Sequence, residues 1–232
     1  MIKAIKIAND LQNLFFPTTC LGCGKITVSN ETILCVECRH QLPLTQFINE
    51  NDNLTEKIFF GRIKIENAAS FLHFHKKGVV QHLIHNLKYK GHEKIGAFFG
   101  TWMGSELSQS HRFNDIDMVI PVPLHKKRLR QRGYNQVSEF GKHLAKELQI
   151  PFHDDMLQRT RHTKSQAFKD SADRATITSG DFLVSKDELL VNKHILIVDD
   201  VVTTGTTLEA CINAFPKDKN IKTSIVTIAI TS

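Results

Sequence analysis

The sequence predicts an α/β domain, a parallel sheet with helices on both faces, preceded by a small N-terminal module built on four cysteines. Three observations carry that reading. From about residue 64, strand-like apolar runs alternate with segments of helical periodicity, the pattern of crossover units that join parallel strands. Two Cys-x-x-Cys pairs lie close together before that point. A compact apolar run, Ile195–Val198, leads into two adjacent aspartates and a Thr/Gly-rich turn, at the strand end where open parallel sheets bind ligands. A length of 232 residues suits one domain plus a small module. Residues 1–60 are expected to form the module and residues 61–232 the domain.

Composition excludes other classes. Hydrophobic residues make up 41% and charged residues 23% of the chain, which excludes collagen-like, coiled-coil and wholly disordered proteins. No apolar run approaches the ~20 residues of a membrane-spanning helix. The first sixteen residues, MIKAIKIANDLQNLFF, are interrupted by Asn9, Asp10, Gln12 and Asn13. They read as a short amphipathic helix rather than a signal peptide, and a cytoplasmic location is expected. The formal net charge is +6, with an isoelectric point near 9.1. That suits an anionic partner such as phosphate, nucleotide or nucleic acid, or simply a soluble basic surface.

Cys20, Cys23, Cys35 and Cys38 form C-x2-C-x11-C-x2-C. In a reducing compartment this spacing favours a metal over two disulfides. Two facing Cys-x-x-Cys turns make a tetrahedron of thiolates, the geometry and softness that Zn2+ prefers. Four protein ligands leave no open position, so the zinc is structural. A redox pair, free thiols or an iron–sulfur cluster are the alternatives. The fifth cysteine, Cys211, shares a helical stripe with Leu208, Ile212 and Phe215 and reads as a core thiol. The polar stretch Asn49 to Glu56 reads as a linker or exposed loop.

Downstream, Ile65 to Phe74 reads as a strand. Val79, Val80, Leu83, Ile84 and Leu87 fit one helix face, and Ile95, Phe98, Phe99, Trp102, Met103 and Leu107 fit another. The aromatics of this second set read as core packing. Asp117 to Leu124 is an apolar strand ending in Pro-Val-Pro. Val137, Phe140, Leu144 and Leu148 mark an amphipathic helix, and Ile221 to Ile230 is a last buried strand.

The strongest motif is ILIVDDVVTTGTT, residues 195–207. Its physics is that of a sugar-phosphate site. A helix N-terminus offers free N–H groups and a positive dipole end, threonines add hydroxyl donors, and Gly205 lets the backbone approach closely. Asp199 and Asp200 repel a phosphate directly but accept hydrogen bonds from sugar hydroxyls nearby. An N-capped helix with Thr204 or Thr206 as cap explains the threonines alone. A Walker loop requires Lys after its glycine, where this chain has Thr206.

All thirteen positions resemble the phosphoribosyl pyrophosphate (PRPP) signature of type I phosphoribosyltransferases. The resemblance implies that Asp199 and Asp200 contact the ribose hydroxyls. It also implies that Thr203, Thr204, Gly205, Thr206 and Thr207 hold the 5-phosphate, and that Mg2+ bridges pyrophosphate and ribose. With the four-cysteine module, Pro121-Val122-Pro123-Leu124 and Arg132-Gly133-Tyr134-Asn135-Gln136, nearly the whole chain resembles the ComF family. The fold implied is a type I phosphoribosyltransferase core with an N-terminal zinc ribbon. The role implied is DNA uptake in natural competence, with single-stranded DNA and DNA-uptake proteins as partners. A metabolic phosphoribosyltransferase of amidophosphoribosyltransferase type and a non-catalytic PRPP sensor are the alternatives.

Two basic segments complete the reading. HKKRLRQRGYNQ, 125–136, is read as a loop after a strand. Arg132 and the amides around Gly133 are the expected pyrophosphate contacts, with DNA phosphates or plain solvation as alternatives. Residues 159–174 resemble the hood that closes over PRPP, with Arg159, Lys164, Gln166 and Arg174 at matching positions; a surface loop is the alternative. In LKYKGH, 87–92, Lys88 is a further candidate ligand residue on a turn between two helices.

Overall fold

The computed structural model describes residues 15, 17–27, 33–160 and 179–231. The expected N-terminal helix and most of the expected hood, including Lys164, Gln166 and Arg174, lie outside the described residues. In chain order the elements are α1 (Val36–His40), α2 (Leu54–Lys57), β1 (Ala68–Phe74), α3 (Val79–Tyr89), α4 (Lys94–Leu107), β2 (Met118–Pro121) and α5 (Lys126–Arg132). Then follow α6 (Ser138–Leu148), β3 (Leu157–Arg159), β4 (Phe182–Val184), β5 (His194–Val202), α7 (Thr206–Asn213) and β6 (Lys222–Thr231).

The centre is a four-stranded sheet in the order β1-β6-β5-β2, parallel throughout. Ile195, Leu196, Ile197 and Val198 of β5 are all fully buried, as are Ile225, Val226, Thr227 and Ile228 of β6. Consecutive strand residues face opposite sides, so both sides of the sheet are covered, as a parallel sheet requires. α4 lies directly on α6. A Cβ at Gly100 would sit 2.4 Å from the Phe140 carbonyl oxygen, so only glycine permits that approach. Phe99 is fully buried, and Phe98 and Trp102 pack edge-on against it and Phe71, as core packing predicts.

The strand starts are tied by polar side chains. Asp117 takes Lys193 Nζ and the His194 N–H, both at 2.8 Å. The His194 ring bridges Asp115 and Ser224 at 2.9 Å each. Although acid, imidazole and hydroxyl are in line, Ser224 is fully buried, so the chain of bonds is a staple and not a nucleophile.

The segment expected as a linker is packed structure. Residue Leu44 forms an antiparallel bridge to Leu72 on the outer edge of β1. Asn53 is 1% exposed. Its carboxamide oxygen caps α2 by accepting the Thr55 and Glu56 N–H groups, and its amide donates to the Ala68 carbonyl at 2.8 Å. Thr55, Ser70 and Thr227 continue a buried hydroxyl chain into the sheet. The stretch is polar because its polar groups satisfy one another internally, a reason that composition does not display.

Candidate functional site

The four sulfurs of Cys20, Cys23, Cys35 and Cys38 lie within 4.8 Å of one another. Zn–S bonds of about 2.3 Å imply tetrahedral S···S edges of about 3.8 Å, and Cys23 and Cys35 stand at 3.8 Å. Backbone N–H groups of Gly22 and Cys35 point at the Cys20 sulfur, and that of Cys38 at the Cys35 sulfur. Against the cost of burial, such bonds bring the Cys20 thiol down to about 7, whereas burial and its neighbours push Cys38 up. The donor set therefore fits a dication that would hold all four as thiolates.

The knuckle docks on α3. Asn86 Nδ2 donates to the Leu21 carbonyl at 2.9 Å, and His82 Nδ1 lies 3.1 Å from the Gly22 carbonyl. The last turn of that helix carries Lys88.

β5 runs further than its apolar residues predict. Its pairing with β2 stops at Val198 opposite Pro121, while pairing with β6 continues through Val202. Asp199 and Asp200 thus lie just beyond the end of β2. Asp200 is 3% exposed, and its Oδ1 takes Lys88 Nζ at 3.0 Å. Its Oδ2 is buried without a hydrogen-bond partner among the described residues. The half-buried Asp199 accepts the Asp200 N–H at 2.8 Å. Burial, and then the charge of Asp200, raise the Asp199 carboxyl to about 7, with Lys88 and Arg159 opposing. Arg159, on β3, lies over the Phe182 ring, and burial and then Arg128 lower its pKa. The structure therefore gathers Lys88, Arg159, Asp199 and Asp200. The acids do not present four outward oxygens, because Asp200 is turned in toward Lys88.

The turn that follows is the segment expected to form the nest. Thr203 and Thr204 are exposed and Thr206 and Thr207 half-buried. Gly205 has φ +73°, and a Cβ there would meet Phe59 at 2.6 Å and Ile58 at 2.7 Å. Neither threonine caps α7 with its side chain; Thr204 and Thr206 share a hydroxyl contact at 3.0 Å instead. The first N–H groups of α7 are therefore not satisfied by a threonine cap.

The expected basic loop is largely helical. All five Lys/Arg of Lys126–Arg132 fall on α5, which buries none of its residues. Gly133 ends it in the left-handed conformation, and its N–H donates to the Leu129 carbonyl at 2.8 Å. That amide therefore closes the end of the helix. Arg132 stacks on Tyr89 and donates to Gln136. Lys88, Tyr89, Arg128, Arg132 and Tyr134 line a cavity of about 570 Å³.

Sequence reasoning missed Arg62. Its guanidinium donates to the Thr204 carbonyl at 2.6 Å and the Ile58 carbonyl at 3.0 Å, and it pairs with Glu209 on α7. No sequence pattern marks it, since its partners on the turn and on α7 are 142 and 147 positions away.

Comparison with known proteins agrees with both modules. The family model for a phosphoribosyl transferase domain matches residues 138–230. That for a double zinc ribbon domain matches residues 11–49, within which four cysteines supply one tetrahedral set. The chain is 34% identical over 105 residues to Competence protein F of Haemophilus influenzae, covering 44% of this chain and 45% of that protein. It is 32% identical over 130 residues to DNA utilization protein YhgH of Escherichia coli K12, covering 54% and 56%. With Competence protein ComFC of Bacillus subtilis the identity is 26% over 131 residues, covering 56% and 50%. The chain thus spans about half the length of the curated relatives it matches. Among solved structures, an adenine phosphoribosyltransferase aligns with a TM-score of 0.38 at 15% identity, over 65% of this chain and 74% of that one. The zinc-ribbon match and the tetrahedral cluster assign the four thiols to structural zinc, and among the described residues no helix is long and apolar enough to cross a membrane. A zinc ribbon model and a phosphoribosyl transferase model on one chain, with competence and DNA utilization proteins among its relatives, agree with the resemblance to the ComF family.

Proposed function

We propose that this protein binds PRPP, or a closely related 5-phosphoribosyl compound, together with Mg2+. The observation that carries the reading is the continuity of the diacid with the nest: Asp199 and Asp200 beyond the end of β2, then Thr203 to Thr207 at the start of α7. In this reading the nest takes the 5-phosphate. The aspartates, whose crowded charge and orphan Oδ2 call for donors or a cation, take the ribose diol and its associated metal. Mg2+ would supply charge neutralisation at the pyrophosphate. Lys88, Arg132 and Arg159 supply further positive charge on that side. Lys164, Gln166 and Arg174 are proposed to act with Arg159 when the hood closes.

Where transfer occurs, the bond from the anomeric carbon to pyrophosphate breaks as the acceptor's bond forms. Positive charge grows on the ribose, and catalysis is positioning plus electrostatics. The names of the relatives support a role in handling incoming DNA. We therefore propose a cytoplasmic protein whose acceptor or partner is single-stranded DNA or a DNA-uptake protein. Residues 1–60 would serve as the zinc module and residues 61–232 as the PRPP domain. Calorimetric titration of the zinc-loaded chain with PRPP and Mg2+ tests the reading. Binding should appear in the wild type and vanish in the Asp199→Asn/Asp200→Asn double variant; equal affinity in both defeats it. Pyrophosphate release with single-stranded DNA present then separates transfer from sensing.

A further inference from the structure

We propose that Arg62, which lies outside the PRPP signature, is the positioning residue that orients the phosphate nest. This rests on the nest reading above and names what holds the nest in its binding form.

The argument begins with the peptide between Thr204 and Gly205. A trans peptide is planar, with its C=O and N–H pointing in opposite directions, and no cis peptide occurs among the described residues. Arg62 takes the Thr204 carbonyl oxygen at 2.6 Å. Holding that oxygen on the Arg62 side turns the Gly205 N–H to the opposite side. Gly205 is in the left-handed conformation that such anion nests use. The same guanidinium is tied to the Ile58 carbonyl, and Ile58 and Phe59 fill the space behind Gly205. The segment 58–62 is therefore a back wall for the nest.

Electrostatics point the same way. Glu209 is in the first turn of α7, where an acid favours the empty helix but competes with a bound phosphate. The ion pair with Arg62 offsets that charge. Lysine cannot replace this arrangement, because a single ammonium lacks the planar fork that spans two carbonyls and a carboxylate. Arg62 does not itself touch the ligand in this account.

The test uses the full zinc-loaded chain, as Arg62→Met, Arg62→Lys and Glu209→Gln. Two readouts are needed: calorimetric affinity for PRPP with Mg2+, and amide hydrogen exchange over residues 203–209 without ligand. Arg62→Met should weaken binding about tenfold or more, the scale of one lost charge-assisted hydrogen bond. It should also speed exchange in 203–209 while β5 and β6 stay protected. Arg62→Lys should recover only part of the affinity, and Glu209→Gln should bind at least as well as wild type. Affinity within twofold in Arg62→Met, or unchanged exchange in the nest, overturns the proposal. If wild type binds no PRPP but exchange still rises in Arg62→Met, the ligand reading fails and the positioning role stands.

Discussion

Lys88→Met is the most informative single change. The side chain of Asp200 is 5% exposed and that of Lys88 24% exposed, with the ammonium 3.0 Å from Oδ1. Among the described residues Oδ2 already lacks a partner and Lys88 is the one side-chain donor to this carboxylate, so removing Lys88 leaves it buried and unpaired there. Breaking a buried pair by deleting one partner costs about 3–5 kcal/mol, and the partial exposure of Lys88 favours the lower end, about 3 kcal/mol. For a chain of this size that corresponds to roughly 6–12 °C in melting temperature. Methionine keeps the stem's packing, so the loss reports charge. Asp200→Asn in the same background removes the stranded charge, and the double variant should recover about 2 kcal/mol of the loss. The assay is thermal and urea unfolding of all four proteins without ligand. A loss under 1 kcal/mol in Lys88→Met, or simple additivity in the double variant, would show that the pair is not the buried unit described here.

The metal prediction is one zinc per chain by elemental analysis; Cys20→Ser should lose the metal and the protection of the start of α3, and two zincs per chain would refute a single tetrahedral set. Gly205→Ala should destabilise by about 2 kcal/mol or more, combining left-handed strain with contact against Phe59 and Ile58. Gly61→Ala provides the control, since its φ is +72° but nothing lies within 4 Å of the new Cβ; equal losses in the two variants would rule out the contact. Asp117 is held below the usual carboxylate range by Lys193 and by the His194 N–H. A depressed carboxyl contributes stability above its unfolded pKa of about 3.9 and loses it as pH falls through the folded value. The gap in melting temperature between wild type and Asp117→Asn should therefore be full at pH 6 and close toward pH 2.5, and a pH-independent gap would contradict it.

The parts of this molecule that local chemistry determines are legible in its sequence. The zinc knuckle needs only four thiols at fixed spacing. The turn from β5 into α7 needs only a glycine and hydroxyl residues between a strand and a helix. The parallel sheet follows from runs such as Ile195–Val198, buried on both sides. What was hidden depends on contacts between distant residues. Asn53 reads as a loop residue because its side chain's hydrogen-bonding partners include Ala68, fifteen positions on. Residues 125–136 read as a loop because they follow a strand and precede an amphipathic helix, yet His125 and Gly133 cap them as a helix. Lys88 shows as a basic residue near a turn, but its pairing with Asp200 depends on how α3 is seated. Arg62 had no signal at all.

Among the described residues the charges of the site are balanced only in part. Asp199 and Asp200 face one close ammonium, Lys88, while Arg159 sits further off and buried. The result is an Asp199 carboxyl raised to about 7. Because the folded value lies above the unfolded one, ionising Asp199 costs folding stability as pH rises through about 7. A site serving only the fold would pair both acids or replace one with an amide. Here the deficit sits beyond the end of β2, beside the turn proposed as the phosphate nest. In the proposed reading a phosphorylated sugar accompanied by a dication would meet both at once, its phosphate at the turn and its hydroxyls and metal at the acids. The stability withheld from the empty fold then becomes available to binding, so affinity should be coupled to proton release from Asp199.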